Sequence, residues 1–91
     1  MRIISGKLKG RRFEMPKEAH KTRPTTDISR ESLFNILENK IDLDDIVVLD
    51  LFAGSGGIGY EFISRGASKV YFVEKFHTCS FFIEKTLKEF V

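Results

Sequence analysis

A short apolar run, residues 46–49, leads directly into a glycine-rich segment, residues 50–57, and this junction constrains the fold strongly. An unbroken run of β-branched and apolar residues is typical of a strand buried on both faces of a parallel sheet. A helix ended by Gly66 is predicted next, followed by a second strand, residues 70–73, that ends at Glu74. The intervening segment is long enough for a helical crossover, which predicts parallel neighbouring strands and the opening of a doubly wound α/β sheet.

The glycines of this segment follow the dinucleotide-binding pattern G-x-G-x-x-G at Gly54, Gly56 and Gly59. Glu74 lies about 20 residues beyond Gly54, at the end of the next strand, where an acid binds a ribose hydroxyl in such folds. A nucleotide-like ligand is therefore predicted, with the backbone passing close beneath it. The alternative is a strand-to-helix turn that needs glycine only for its geometry.

Asp50, at the tip of the first predicted strand, favours one class of nucleotide-like ligand. A dinucleotide would bring an anionic pyrophosphate, and repulsion at about 4 Å near a protein surface amounts to roughly 4 kcal/mol per pair of unit charges. S-adenosylmethionine carries an ammonium and a sulfonium, which the same carboxylate attracts. We therefore expect the sulfonium cofactor; the alternative is an acid that only caps the following helix.

Charge is distributed unevenly along the chain. Residues 1–26 contain eight Lys or Arg and two Glu, a net charge of +6, whereas the other 65 residues contain seven Lys or Arg and eleven Asp or Glu, a net charge of −4. Clustered cations attract nucleic-acid phosphates and release counterions on binding, so this segment is a candidate nucleic-acid contact. The alternative is a solvated basic hairpin, with two short strands around Gly6 and Gly10.

Two further helices are predicted from apolar periodicity. The first begins near Thr26 or Asp27, and its core-facing stripe is predicted to contain Ile28, Ser32, Leu33, Ile36 and Leu37. The second covers roughly residues 77–90, and its core-facing stripe is predicted to contain Cys79, Phe82, Ile83, Leu87 and Phe90.

Several functional classes are disfavoured by composition. The single Cys79 allows no intrachain disulfide, and the N-terminus has no signal-peptide apolar stretch. No apolar run approaches the roughly 18 residues of a membrane span, so we expect a cytoplasmic protein without a membrane partner. His20 and His77 are isolated and lack metal-ligand spacing, so no metal site is predicted.

Residues 22–27 (Thr-Arg-Pro-Thr-Thr-Asp), 30–37 (Arg-Glu-Ser-Leu-Phe-Asn-Ile-Leu) and 48–56 (Val-Leu-Asp-Leu-Phe-Ala-Gly-Ser-Gly) carry a resemblance to a known family. The opening residues 1–11 and residues 72–75 match the same family. The chain resembles, along essentially its whole length, the RsmD family of bacterial guanine-N2 methyltransferases of small-subunit ribosomal RNA.

The resemblance implies a truncated, Rossmann-like class I S-adenosylmethionine-dependent methyltransferase fold, preceded by a β-hairpin and a helix. Residues 1–25 would form a basic arm and connector, and residues 26–91 the first helix and a cofactor-binding β-α-β-α half. It implies S-adenosyl-L-methionine as the cofactor, bound by Asp50, Phe52, Ala53, Gly54, Ser55, Gly56, Gly59 and Glu74. It also implies ribosomal RNA or the small ribosomal subunit as the partner, contacted by Arg2, Lys7, Lys9, Arg11, Arg12 and Arg23.

The sequence departs from the family where the catalytic motif is expected. Family members run about twice as long and carry an Asn/Asp-Pro-Pro-Tyr/Phe motif that holds the guanine amino group and stacks on a flipped base. The only prolines here are Pro16 and Pro24, so no catalytic residue is predicted, and we expect a truncated product, a split protein or a partial chain. Self-association or the missing C-terminal half would cover the open sheet edge. Alternatives are a non-catalytic RNA- or cofactor-binding fragment and a nicotinamide-binding Rossmann domain.

Overall fold

The computed structural model describes residues 1–14 and 25–90. In chain order the elements are helix α1 (Asp27–Lys40), strand β1 (Val47–Asp50), helix α2 (Gly57–Ser64), strand β2 (Lys69–Phe72) and helix α3 (His77–Phe90). The two strands pair in parallel, with Val47 opposite Lys69 and Asp50 opposite Phe72. The predicted β-α-β-α order and the parallel pairing are confirmed.

The helix ends follow local signals in the sequence. Thr26 caps α1, because its hydroxyl accepts a hydrogen bond from the Ser29 amide at 3.1 Å. α2 begins after Gly56, which is left-handed with a φ of 86°, and Gly66 follows its C-terminus with a φ of 113°. Such conformations favour glycine, so the predicted role of Gly66 at the helix end is confirmed.

The described part of the basic arm, residues 1–14, folds back on itself and packs on the rest of the protein. Its two halves pair antiparallel through one bridge, Arg2 with Arg12, and the Gly10 amide donates to the Ile3 carbonyl at 2.9 Å. Gly6 and Gly10 both have positive φ, as their predicted turn positions require. The predicted pair of strands is therefore reduced to a single bridge, because turns take up most of the segment between them.

The core is shared between the arm and the α/β unit. Tyr60 on α2 lies at its centre, with ring centroids 5.0 Å from Phe13, 5.7 Å from Phe72 and 5.4 Å from Phe90. The contacts of Tyr60 with Phe13 and Phe90 are edge-to-face, a geometry that adds to the stabilisation from apolar burial. The arm is therefore part of the folded core and not only a solvated hairpin. The buried members of the core are Ile3, Phe13, Ala53, Tyr60 and Ile83.

The prediction of which face of α1 is buried is wrong. Ile28 is 80% exposed, and Leu33 and Ile36 are also exposed, whereas Arg30 and Phe34 are completely buried. The apolar spacing identified a helix but not its orientation. The face of α1 that contains Arg30 and Phe34 packs inward, where the buried Glu61 carboxylate and the partly exposed Asp27 carboxylate lie beside the Arg30 guanidinium.

The prediction that both strands are buried on two faces is also wrong for this chain. Burial alternates along each strand, and Val47, Leu49 and Tyr71 are each at least half exposed. The opposite face packs against α2, where Phe72 contacts the helix. Only one face of the two-stranded sheet is covered by the described residues. The predicted apolar stripe of α3 agrees better, since Cys79 and Ile83 are buried.

Candidate cofactor-binding site

The glycine loop, residues 51–56, joins the end of β1 to the start of α2 and is attached to the residues that follow β2. The Ala53 amide donates to the Val73 carbonyl at 3.1 Å, and the Val73 amide donates to the Asp50 carbonyl at 2.8 Å. Gly54 and Gly56 adopt positive φ values of 54° and 86°. The loop is therefore a hydrogen-bonded bend at the carboxyl edge of a parallel sheet, the edge where such sheets bind ligands.

Two of the pattern glycines are required by packing. A Cβ on Gly56 would overlap the Tyr60 ring, and a Cβ on Gly59 would overlap the Phe72 ring. Gly59 therefore permits the close approach of α2 to β2, and the structure places it in the helix–sheet packing. This placement matches the role of the third glycine in such fingerprints, and the predicted contact of Gly59 with the cofactor stays a prediction.

Asp50 lies at the carboxyl end of β1 beside the loop. Its Oδ1 accepts a hydrogen bond from the Phe52 amide at 3.3 Å, whereas its buried Oδ2 has no hydrogen-bond partner among the described residues. Burial raises the pKa of Asp50, the Phe52 amide lowers it in part, and the negative charge of Glu74 raises it further. A buried carboxylate oxygen without a donor is costly, so a cationic or donor group placed there would be stabilised.

Glu74 clamps the loop from the end of β2. Its Oε1 accepts from the Gly54 amide at 2.8 Å, and its Oε2 accepts from the Phe76 amide at 3.0 Å. A carboxylate has further lone pairs, so both oxygens can still accept hydrogen bonds from a ligand. Within residues 1–14 and 25–90, no Lys or Arg forms an ion pair with Asp50 or Glu74. The loop is therefore flanked by two carboxylates whose charge no protein cation neutralises there.

The other predicted loop residues divide by exposure. Ala53, Gly54 and Ser55 are buried, and the Ser55 hydroxyl accepts from the Gly57 amide at 3.3 Å. Phe52 is 89% exposed at the tip of the loop. The structure thus brings Asp50, the buried loop residues and Glu74 together, and it leaves the Phe52 ring in solvent.

The predicted RNA-contacting residues Arg2, Lys7, Lys9, Arg11 and Arg12 are all exposed, and two of them also contact the helices. The Arg2 guanidinium lies 3.9 Å from an Asp27 carboxylate oxygen, and Arg11 donates to the Glu89 carbonyl at 2.7 Å. Arg23 lies outside the described residues. The described part of the arm therefore presents five exposed cations, of which Arg2 and Arg11 contact the helices.

A buried ion-pair network around Glu61 was not predicted from the sequence. Glu61 is completely buried in α2, accepts from Arg65 at 2.8 Å and lies 3.6 Å from Arg30. Glu61 also accepts from the backbone amides of Ile4 and Ser5 in the arm, at 2.9 and 3.1 Å. The sequence contained a signal for this network, namely one carboxylate, Glu61, in the otherwise apolar segment of α2. Such a carboxylate requires partners inside the protein when the segment is buried.

Among residues 1–14 and 25–90, no group of three or more His, Cys, Asp or Glu could hold a metal ion. None of the helices in that part of the chain is both long and apolar enough to cross a membrane.

Comparison with known proteins extends these observations. The sequence model of the family described as conserved hypothetical protein 95 matches residues 1–91. The chain is 45% identical over 74 residues to ribosomal RNA small subunit methyltransferase D of Escherichia coli (strain K12), covering 81% of this chain and 36% of that protein. Its counterpart in Haemophilus influenzae is 40% identical over 88 residues, covering 97% of this chain and 44% of that protein.

A solved structure agrees in fold. The structure of yhhF from Escherichia coli, named as a methyltransferase, superposes with a TM-score of 0.82 at 39% identity, covering 98% of this chain and 47% of that one. The chain therefore spans less than half the length of the relatives it matches. Its α/β unit is part of a Rossmann-like methyltransferase fold, and the chain belongs to the conserved hypothetical protein 95 family, the RsmD-type family that its motifs resemble.

Proposed function

We propose that this chain forms the S-adenosylmethionine-binding part of a methyltransferase that modifies guanine N2 in small-subunit ribosomal RNA. The single observation that carries the cofactor assignment is the Asp50 carboxylate, half-buried beside the glycine loop with one oxygen lacking a donor among the described residues. Relatives named as ribosomal RNA small subunit methyltransferases support the substrate class.

The residues at the loop suit a positively charged nucleoside. Asp50 would bind the methionine portion, and the backbone at Gly54 and Gly56 would pass beneath it without a side chain in the way. Glu74 would accept from the ribose hydroxyls, using lone pairs that its bonds to the Gly54 and Phe76 amides leave available. When bound, the cofactor supplies a methyl group on a sulfonium. A pyrophosphate would meet two carboxylates instead, which disfavours a nicotinamide dinucleotide.

The basic arm would dock the RNA. Lys7, Lys9 and Arg12 are exposed on a segment that packs against α2, so their charges are held at a fixed position relative to the glycine loop. Phosphate contacts position a nucleic acid without reading its sequence. The arm would therefore orient the substrate, and choice of the target base would belong to other residues. Such a role is consistent with a cytoplasmic protein acting on the small ribosomal subunit.

Calorimetry with S-adenosylhomocysteine tests the cofactor assignment. Asp50→Asn keeps the side-chain shape and removes the charge, so we expect affinity to fall by roughly 10- to 100-fold, the usual effect of losing a hydrogen bond to a charged group. Asp45→Asn, in the turn that precedes the same strand, makes the same change in net charge and should leave affinity unchanged. Equal affinity of wild type and Asp50→Asn, or preferential binding of NADH, would contradict the assignment.

A methylation assay separates an enzyme from a binding module. The span of less than half of the relatives' length favours binding without turnover by these 91 residues. We expect no N2-methylguanine, measured by mass spectrometry of nucleosides, when the chain is mixed with S-adenosylmethionine and either naked ribosomal RNA or assembled subunits. Robust turnover would overturn the prediction that the chain has no catalytic residue.

A further inference from the structure

Arg30 connects the basic arm to the start of α2 and has no role in the proposed site. Its side chain is 1% exposed and donates to Asp27 at 2.6 Å and to the Arg2 carbonyl. Its guanidinium lies 5.2 Å from the centre of the Phe13 ring. Both Arg2 and Phe13 belong to the arm, so one buried cation contacts both of the arm's paired segments.

The same guanidinium lies against the residue that follows the glycine loop. A Cβ on Gly57 would be 2.8 Å from Arg30 Nη1. The Gly57 amide donates to the Ser55 hydroxyl, and the Gly56 amide donates to the Ala53 carbonyl at 2.7 Å. Any displacement of Arg30 therefore changes the packing at the point where the loop becomes helix.

Glu61, one turn further along α2 than Gly57, also connects the arm to this helix. Its carboxylate accepts from the amides of Ile4 and Ser5 and lies 3.6 Å from Arg30 Nε. The arm is also hydrogen-bonded at the end of α2, where the Lys7 amide donates to the Ser64 carbonyl at 2.9 Å. A Cβ on Gly6 would overlap that same carbonyl, so the arm lies directly on the helix.

We propose that the buried Arg30–Glu61 pair is a positioning device that couples RNA docking on the arm to cofactor binding at the glycine loop. This inference rests on the proposed function. An arm held by RNA would hold the first turn of α2 through Arg30. Less order would then have to be imposed on the loop when the cofactor binds, which gives positive cooperativity without a large structural change. Linkage requires the effect to be reciprocal.

The test measures the affinity for S-adenosylhomocysteine with and without a saturating labelled RNA hairpin, and the reverse. We expect each ligand to tighten the other by about fivefold or more in wild type. Arg30→Lys keeps the charge but loses the planar guanidinium, so the factor by which each ligand tightens the other should fall toward one. Arg30→Met removes the charge as well and should abolish the coupling. Arg65→Lys is the matched control, because Arg65 pairs with the same Glu61 and otherwise contacts Glu38 and Phe34 of α1. It should retain the wild-type factor.

Amide hydrogen exchange gives a local readout that a purely structural role would not change. S-adenosylhomocysteine should slow exchange at Ile4 and Ser5 in wild type and in Arg65→Lys, and not in Arg30→Lys. A wild-type protein that binds both ligands independently would overturn the coupling and leave the proposed function intact. A protein that binds neither ligand would overturn the proposed function, and the coupling with it. An unchanged factor in Arg30→Lys and Arg30→Met would show that the coupling does not pass through this pair.

Discussion

The two sides of this molecule differ in how completely they are covered. On the closed side, formed by the arm, α2 and the face of α1 that contacts them, Arg30, Glu61 and Phe34 are buried. On the open side, formed by the uncovered sheet face and the tip of the glycine loop, Val47 is 65% exposed and Phe52 is 89% exposed. Buried charges need partners at specific positions, whereas exposed apolar groups impose no such requirement.

This difference in coverage indicates which side of the molecule provides stability and which is available for binding. Parallel sheets in folded proteins are normally covered on both faces, so the open face is apolar surface available to another structure. The closed side pairs its buried charges internally and holds the arm through hydrogen bonds to Glu61 and Ser64. We therefore expect the stability of the chain to depend on the closed side, and ligand binding to depend on the carboxyl edge of the sheet.

The largest expected contrast is between two phenylalanines. Phe34→Ala should destabilise the chain by about 3–5 kcal/mol, because Phe34 is fully buried and packs edge-on against Phe62 at 4.7 Å. Phe52→Ala should change stability by less than about 0.5 kcal/mol, since the ring lies in solvent. Urea denaturation of both variants measures the contrast. Similar losses would show that the open side is covered in solution.

A smaller effect is expected where the two sides meet, at Gly59. Gly59→Ala should cost about 1–3 kcal/mol, because the added methyl group overlaps the Phe72 ring and forces α2 away from β2. Phe72→Leu in the same chain should recover part of this loss by removing the overlapping ring atoms. Thermal unfolding of the single and double variants provides the measurement. If the loss of stability in the double variant equals or exceeds the sum of the losses in the two single variants, this clash is excluded as the cause.

The smallest expected effect is a difference in pH dependence between two carboxylates. Burial raises the pKa of Asp27, but hydrogen bonds from the Arg2 amide and from Arg30, together with the Arg30 charge, lower it below 3.8 overall. Its contribution to stability is therefore present above pH 3.8 and is lost as the pH falls through the folded pKa. The pKa of Asp50 is raised above 3.8, so stability is lost as the pH rises through the interval between 3.8 and the folded value.

Urea denaturation of Asp27→Asn and Asp50→Asn across acidic pH checks these signs. Asp27→Asn should be less stable than wild type at neutral pH, and Asp50→Asn more stable, each by less than about 1 kcal/mol because both groups are partly solvated. Stabilisation by Asp50→Asn together with loss of cofactor affinity would indicate that Asp50 is retained for binding. Destabilisation by Asp50→Asn would mean that this carboxylate has a partner in the folded chain.

The local elements were predictable because their signals lie in consecutive residues. The β-branched run before Asp50, the glycines of the loop and Gly66 after α2 each have a conformational consequence that needs no distant contact. The position of Glu74 at the end of β2 also follows from the strand boundary. Its hydrogen bonds to the Gly54 and Phe76 amides could not be predicted, because they depend on how far the loop bends toward β2.

The orientation of α1 shows why other features could not be predicted. Its apolar residues at positions 28, 33 and 36 gave a consistent stripe, yet the buried face is the one that contains Arg30 and Phe34. A burial pattern assumes that charge is excluded from the core. Here Glu61 on another helix compensates Arg30, and that partner lies 31 positions away in the chain.

The sequence alone determined the order of elements, the parallel strand pair, the glycine-dependent bend and the acid at each strand end, because local backbone preferences and side-chain periodicity are encoded in neighbouring residues. Only the tertiary structure decided which face of α1 is buried, how the arm joins the core, and that Arg30 and Glu61 lie between the arm and the loop. These depend on contacts between residues distant in the chain, whose energies come from burial and charge pairing.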